Sequence, residues 1–313
     1  MSVSLAIMQC MIQKQEKKFI KDALWLSYTA LKDFLKCPRS YYLKNRYRNT
    51  ETGNRLQIAS APMTLGSLVH DAIKWYLQTN RVASLEDVIK KFRNHWLKYQ
   101  GKRGGFASRE EEGGFGKRGL SMLDNFYKNR EILEKNIPSF NFLRFMLDEK
   151  IVLNGKLDFL GERSDGSLHV LDFKSGSKDE EDSTQLHTYA ILAESNFQKP
   201  ISKISYWYLD RDSAPKEAVL DSLEEKLKWL KEKAMQIQKS IREDHWVCIK
   251  GENLCNDCRN YQAIIEGKGE FQFSDMEFKK DVYFLPRQNV FKTHDLGEPL
   301  DNLTRDDFYA DSK

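Results

Sequence analysis

Apolar positions recur at helical spacing through the first part of the chain and at strand spacing near its middle. From Ser27, a plausible helix cap, Tyr28, Leu31, Leu35 and Tyr42 fall near a 3.6-residue stripe that Cys37-Pro38 interrupts. A second helix begins near Gly66, with Leu68, Val69, Ala72, Ile73, Tyr76 and Leu77 on one broad face, and a third covers about 84–97. Residues 101–119 hold glycine too densely for a helix or strand, so a mobile loop is expected there. Helical spacing returns over 120–135. The period then drops to two, and 149–153, 156–161 and 168–173 read as short strands, with Asn154-Gly155 and Asp165-Gly166 as hairpin turns. A helix over 182–194 follows, then a strand over 204–209 in which Ile204, Tyr206 and Tyr208 alternate with Ser205, Trp207 and Leu209. An amphipathic helix over 222–242 sets Leu223, Leu227, Leu230, Ala234, Ile237 and Ile241 in register. This order predicts an α/β fold, one sheet with helices against it. After Cys258 the periodicity fades, and the acid-rich stretch 295–313 is expected to be loosely ordered.

Composition narrows the class. The 313 residues allow two domains or one elaborated domain. A hydrophobic fraction of 40% excludes global disorder. With 50 basic and 46 acidic residues the net charge is only +4, so any nucleic-acid footprint must be a local patch. No stretch approaches the ~18 apolar residues of a membrane-spanning helix, and the N-terminus lacks the basic and small-residue marks of a signal peptide. A cytoplasmic protein with no membrane partner is expected. The 5 cysteines (Cys10, Cys37, Cys248, Cys255 and Cys258) are odd in number and unevenly spaced, which argues against a disulfide framework and leaves metal ligation open.

Candidate chemistry concentrates in 155–189. Asp172 and Lys174 are two apart and share a strand face, and a hairpin would bring Asp158 beside them. Two carboxylates with a backbone carbonyl, such as that of Phe173, suit a hard cation that keeps open positions for water and a phosphate oxygen. A neighbouring lysine can position that water or meet developing charge. The ordinary reading is that Asp-x-Lys is a common combination, but two charges inside the apolar run HVLDFKSG need partners or a role. Gln185 and Tyr189 lie i,i+4 on the next helix and share a face. His70 reads either as a structural helical histidine or as a metal ligand.

Together these motifs resemble the PD-(D/E)XK nuclease superfamily, and within it the RecB-like branch that takes in CRISPR-associated RecB-like exonucleases and the AddB and RecB nuclease domains. The likeness runs in order over 27–260: SYTALKDFLKCPRSYYL, then Gly66–His70 as Gly-x-x-x-His, Gly155–Asp158 as Gly-x-x-Asp, Asp172-Phe173-Lys174-Ser175-Gly176, and Gln185–Tyr189 as Gln-x-x-x-Tyr. It implies a restriction-endonuclease-like core, a central mixed β-sheet flanked by helices, with a helical N-terminal elaboration. The implied layout is a lead-in over 1–26, a helical part over 27–135 with the flexible loop 101–119, the core and cysteine segment over 136–260, and a C-terminal extension over 261–313.

The resemblance also implies roles. His70, Asp158, Asp172 and the Phe173 carbonyl would hold Mg²⁺ or Mn²⁺, Lys174 would be the catalytic lysine, and Gln185 and Tyr189 would support the site. Glu149 is a candidate for the branch's core-strand glutamate. Many members of the branch hold a four-iron, four-sulfur (4Fe-4S) cluster on one early and three late cysteines. Cys37, Cys255 and Cys258 match, but the last expected cysteine is missing near Ile264 and Ile265, and Cys248 lies upstream instead. Four thiolates remain for a cluster, for Zn²⁺ in a Cys₄ site, or for no metal. The implied activity is metal-dependent DNA hydrolysis, as an exonuclease on single strands or ends in repair, recombination or CRISPR-type processing. The competing readings are a non-catalytic DNA-binding module of the same fold and an unrelated α/β protein with a zinc staple. No Walker A motif is present, so any helicase, CRISPR or recombination motor would be a partner protein. For DNA contact the candidates are Arg103, Arg109, Lys117 and Arg118, on a basic flap if 101–119 is one, and Tyr41, Tyr42 and Trp75 are either base-stacking or core aromatics.

Overall fold

The computed structural model describes residues 23–138 and 142–286, and Cys10 and the acid-rich 295–313 stretch lie outside them. The chain starts with strand β1 (Leu24–Leu26) and helix α1 (Tyr28–Lys36), whose first turn Ser27 caps by accepting from the Ala30 N–H. Cys37 ends α1 and Pro38 opens the short α2 (Pro38–Tyr41), the position where a missing N–H costs least. Strand β2 (Arg55–Ile58) and the long α3 (Ala61–Gln78) follow. A Ser84/Asp87 capping box starts α4 (Leu85–Trp96).

The glycine-rich segment corrects the sequence reading. In place of a mobile loop, most of it forms α5 (Arg109–Asn129). Ser108 caps this helix, and three glutamates sit in its first turn, where they favour the helix dipole. Buried Glu112 accepts from the Trp96 indole (3.3 Å) and the Gly101 N–H (3.0 Å), which ties the preceding turn down. A Cβ on Gly119 would come 2.3 Å from the Phe92 ring. Glycine there permits close helix packing, and that packing offsets the ~1 kcal/mol propensity cost per residue.

Seven strands and two helices follow. They are β3 (Lys135–Asn136), β4 (Leu143–Asp148), β5 (Ile151–Gly155), β6 (Phe159–Glu162), β7 (Leu168–Lys174), α6 (Thr184–Phe197), β8 (Ile201–Tyr208), β9 (Lys216–Ala218) and α7 (Leu223–Glu243), the last capped by Ser222. The central sheet has the order β3-β6-β7-β8-β9 and is mixed: β7 and β8 are parallel, joined across α6, and the other pairings are antiparallel. A second sheet, β1-β5-β4, has β1 parallel to β5, so the expected lead-in 1–26 ends inside the fold. The Asp165-Gly166 turn forms, with Gly166 at φ +81°. The Asn154-Gly155 turn does not. Both residues pair with β4, the turn sits at Glu149-Lys150, and the chain leaves β5 for the other sheet.

Both faces of the central sheet are covered, so β7 reads as a nearly continuous apolar run. One face (Leu168, Val170, Ile204, Tyr206, Tyr208) packs with α6, α7 and the second sheet. The other (Phe159, Leu171, Phe173, Trp207, Leu209) packs under α3, α4 and α5. From Asn256 onward, where the legible periodicity ends, lie α8 (Asn256–Ile265), which carries Cys258, and the hairpin β10 (Glu270–Asp275) and β11 (Lys280–Phe284), with β11 parallel to β2. Buried Asp281 accepts from Asn49, Thr52, Asn54 and Ser274 and pins the 49–54 loop to this hairpin. Among the described residues no helix is long and apolar enough to cross a membrane.

Candidate active site

At the end of β7 the strand alternation splits three neighbours. Phe173 turns under the helices, its ring 5.6 Å from that of Phe126 and 5.9 Å from that of Trp207. Asp172 and Lys174 turn to the opposite face. The buried Phe173 ring fixes a backbone whose N–H donates to Asp158 Oδ2 at 3.1 Å. Asp158 stands at the step from β5 into β6. Helix α3 brings His70, with Nδ1 3.1 Å from Asp158 Oδ1.

Two motif glycines owe their place to close approach. A Cβ on Gly66 would lie 2.8 Å from Ser175 Oγ, and one on Gly155 would lie 2.9 Å from Leu192 Cδ1 and 3.1 Å from the Tyr189 ring. They let α3 and α6 press onto the strand ends. From α6, Gln185 Oε1 accepts from Lys174 Nζ (2.6 Å), and its Nε2 donates to Asp172 Oδ1 (3.0 Å) and the Tyr189 hydroxyl (3.2 Å). Lys174 Nζ also pairs with Asp172 Oδ2 (3.0 Å) and Glu180 Oε1 (3.1 Å). These groups line an open pocket of about 400 Å³.

The charges are in tension. Burial and the nearby Asp158 charge push the Asp172 carboxyl well above the usual range. Burial also works against Asp158, but the His70 imidazole and the Phe173 N–H hold it low. For His70, burial disfavours the imidazolium and Asp158 more than offsets this, lifting it to about 9. Lys174 is disfavoured by burial yet raised by Asp172 and Glu180. Two carboxylates and a histidine on one open pocket, with one carboxylate forced toward its neutral form, fit a hard divalent cation whose charge would relieve that strain.

A sequence model of the PD-(D/E)XK nuclease superfamily matches residues 25–263. The chain belongs to this superfamily. No curated protein matches it. The PD-(D/E)XK match runs from β1 into α8 and takes in all of the pocket. Membership places the chain among the nucleases.

The structure therefore brings His70, Asp158, Asp172, Phe173, Lys174, Gln185 and Tyr189 to one place. Other candidates lie apart. Glu149 is exposed in the β4–β5 turn and lines no pocket at this site. None of Arg103, Arg109, Lys117 and Arg118 lines it either. Arg103 stacks over the Phe273 ring (4.1 Å), whereas Arg118 reaches the rim of the site, donating to the Ser175 carbonyl (3.5 Å) and pairing with Asp210 (2.8 Å). Arg109 begins α5 and Lys117 lies within it, so there is no flap. Tyr41 is buried, and Tyr41 and Tyr42 both stack on Trp246, while Trp75 packs against the core under α3. The sequence reading missed Glu180, whose other oxygen pairs with Lys32 (3.1 Å). Its only signal is its place in the acidic run after the Lys174 motif.

The four candidate cysteine ligands converge in a separate apolar cluster. Their sulfurs all lie within 4.8 Å of one another, with Cys37 Sγ and Cys258 Sγ 3.7 Å apart. Cys37 comes from the α1–α2 junction, Cys255 caps α8, Cys258 lies within it, and Cys248 precedes it. Ile264, near the expected final cysteine, is instead buried in the apolar wall. Burial disfavours the Cys248 thiolate, but the Lys250 and Cys255 N–H groups bring it down to about 7. This quartet could hold a metal.

Proposed function

We propose that the chain hydrolyses DNA phosphodiester bonds with the help of Mg²⁺ or Mn²⁺. The observation that carries this reading is the convergence of Asp158, Asp172, His70 and Lys174 on one open pocket at the end of β7. His70, Asp158, Asp172 and the Phe173 carbonyl would hold the ion. When bound, the cation acidifies a water and offsets charge on the phosphoryl oxygens. The protein's own groups do the positioning. Gln185 fixes the Asp172 carboxylate and the Lys174 ammonium in one geometry. Glu180 steers the same ammonium from the other side, so it stands ready to orient a water or meet developing negative charge. The Phe173 N–H and His70 set the orientation of Asp158.

Following the RecB-like resemblance, we take the activity to be exonucleolytic, on single strands or ends. The test uses end-labelled single- and double-stranded DNA with Mn²⁺, Mg²⁺ or EDTA, on wild type and Lys174→Ala. Metal-dependent cleavage that vanishes in the variant is expected, and the product ladder reports end or internal attack. A folded wild type that binds DNA without cutting it would overturn this in favour of a non-catalytic module.

For the cysteine quartet we propose a single tetrahedral ion of the zinc type rather than the 4Fe-4S cluster expected from the branch. Zn–S bonds of about 2.3 Å give sulfur–sulfur edges of about 3.8 Å. The 3.7 Å edge and the 4.8 Å limit support that size. A cluster places a separate iron under each thiolate, which holds the sulfurs wider apart. Bound there, the ion would tie the α1–α2 junction to α8. Elemental analysis of protein purified without oxygen should find one zinc per chain and no iron. A coloured protein with stoichiometric iron would overturn this.

A further inference from the structure

Beside the catalytic pocket lies a second pocket of about 420 Å³ that shares His70, Asp158, Phe173 and Ser175 with it. Its remaining wall combines two lysines, Lys74 and Lys156, with one acid, Asp71, and the apolar Pro62, Met63 and Leu157. Lys74 follows His70 by four residues on α3 and so stands on the same helix face. Lys156 lies inside the Gly155–Asp158 motif, exposed, and lines the same pocket as Lys74.

We propose that Lys74 and Lys156 form a phosphate subsite that holds a non-scissile phosphate of the nucleic-acid strand, next to the phosphate under attack at Asp158 and Asp172. This rests on the nuclease reading above. Two ammonium groups brought together repel each other, and a phosphate between them turns that repulsion into two charge-assisted contacts. Burial and the neighbouring Lys156 both disfavour the Lys74 ammonium, while Asp71 and Asp158 favour it. Asp71 is the only acid of the pocket not shared with the catalytic one, so the unshared part of the wall is net basic. Met63, 56% exposed, and Pro62 offer an apolar ledge for the attached sugar. The shared residues make the two pockets one continuous track, which a strand needs if adjacent phosphates are to be engaged together. The anion is a nucleotide phosphate rather than a free phosphate ion, because the track opens onto the catalytic groups.

The test compares wild type, Lys74→Ala/Lys156→Ala, the conservative Lys74→Arg/Lys156→Arg, and a control pair outside both pockets, Lys90→Ala/Lys228→Ala. Binding of a fluorescent single-stranded oligonucleotide is titrated against salt in EDTA, and cleavage is measured with Mn²⁺. Losing one phosphate contact should flatten the salt slope by about 0.7. KM should rise roughly tenfold, the scale of one charge-assisted phosphate contact, with kcat within about threefold. The arginine pair should restore most of the binding, and the control pair should leave KM and slope near wild type. If wild type cuts and the alanine pair binds and cuts like it, the subsite is wrong and the nuclease reading stands. Equal losses in the control pair would also overturn the subsite. If wild type neither cuts nor binds, the nuclease reading itself fails.

Discussion

The two ends of β7 carry polar groups on opposite faces of one strand, and their fates differ. At the first end, His169 Nδ1 is 2.9 Å from both Glu134 oxygens, and its Nε2 is 2.9 Å from Ser205 Oγ. In connectivity this is the acid–imidazole–hydroxyl chain of a hydrolase. Yet His169 is 2% exposed and Ser205 0%, so no substrate can reach the hydroxyl. The network is closed and each imidazole nitrogen has a protein partner. At the second end, Asp172 and Lys174 are equally well partnered, but they border an open pocket and their charges are in conflict. A charged group in an apolar strand shows that something must answer it. Access and unresolved charge decide whether the answer is another side chain or a ligand.

Crossed substitutions would test that contrast most strongly. Lys174→Ala should lower cleavage by ~10³-fold or more, the scale of removing a group that meets transition-state charge, and should also cost stability, because the buried Asp172 carboxylate loses its ammonium. His169→Ala should cost stability alone. It leaves a cavity and two unpaired buried partners, for ~2–4 kcal/mol of lost stability, while the folded fraction keeps kcat within about threefold. Urea unfolding and the cleavage assay on the same samples read both. The contrast collapses if His169→Ala abolishes cleavage at wild-type stability.

A milder change sharpens it. Ser205→Ala removes a single partner from His169 Nε2 and should cost ~1–3 kcal/mol. An unchanged unfolding curve would mean that water fills the gap and that the network is less closed than the distances show.

The second end of β7 was legible in the sequence because its motifs are local. Asp172, Lys174, Gln185 and Tyr189 fall within 18 residues, and strand and helix periods place them on the correct faces. His70 and the match of motif order gave the rest. The first end was invisible because Glu134, His169 and Ser205 meet only through sheet pairing. The same limit explains the failures. Glycine density in 101–119 argued for a loop, and the helix exists because Glu112 and the tight approach at Gly119 are tertiary facts. Asn154-Gly155 argued for a turn, and the glycine is there to clear Tyr189 and Leu192. Lys74 and Lys156 were within reach of sequence logic, since each lies within four residues of a motif position.

The smallest expected effect concerns acid. Burial works against the Glu134 carboxylate, but the His169 hydrogen bond and charge bring its pKa below the usual glutamate value. A carboxylate depressed on folding stabilises the native state above its unfolded pKa, and that contribution disappears as the pH falls through the folded value. The stability gap between wild type and Glu134→Gln should therefore be full near neutrality. It should begin to narrow once the pH drops below about 4.3, the value of an unperturbed glutamate, and close as the pH falls on through the lower folded value. Urea unfolding at a series of pH values between neutral and acid would show this, with the glutamine variant preserving side-chain shape. A gap that persists unchanged into acid would mean that the carboxylate's charge contributes nothing, and that the first end of β7 is held by shape and neutral hydrogen bonds alone.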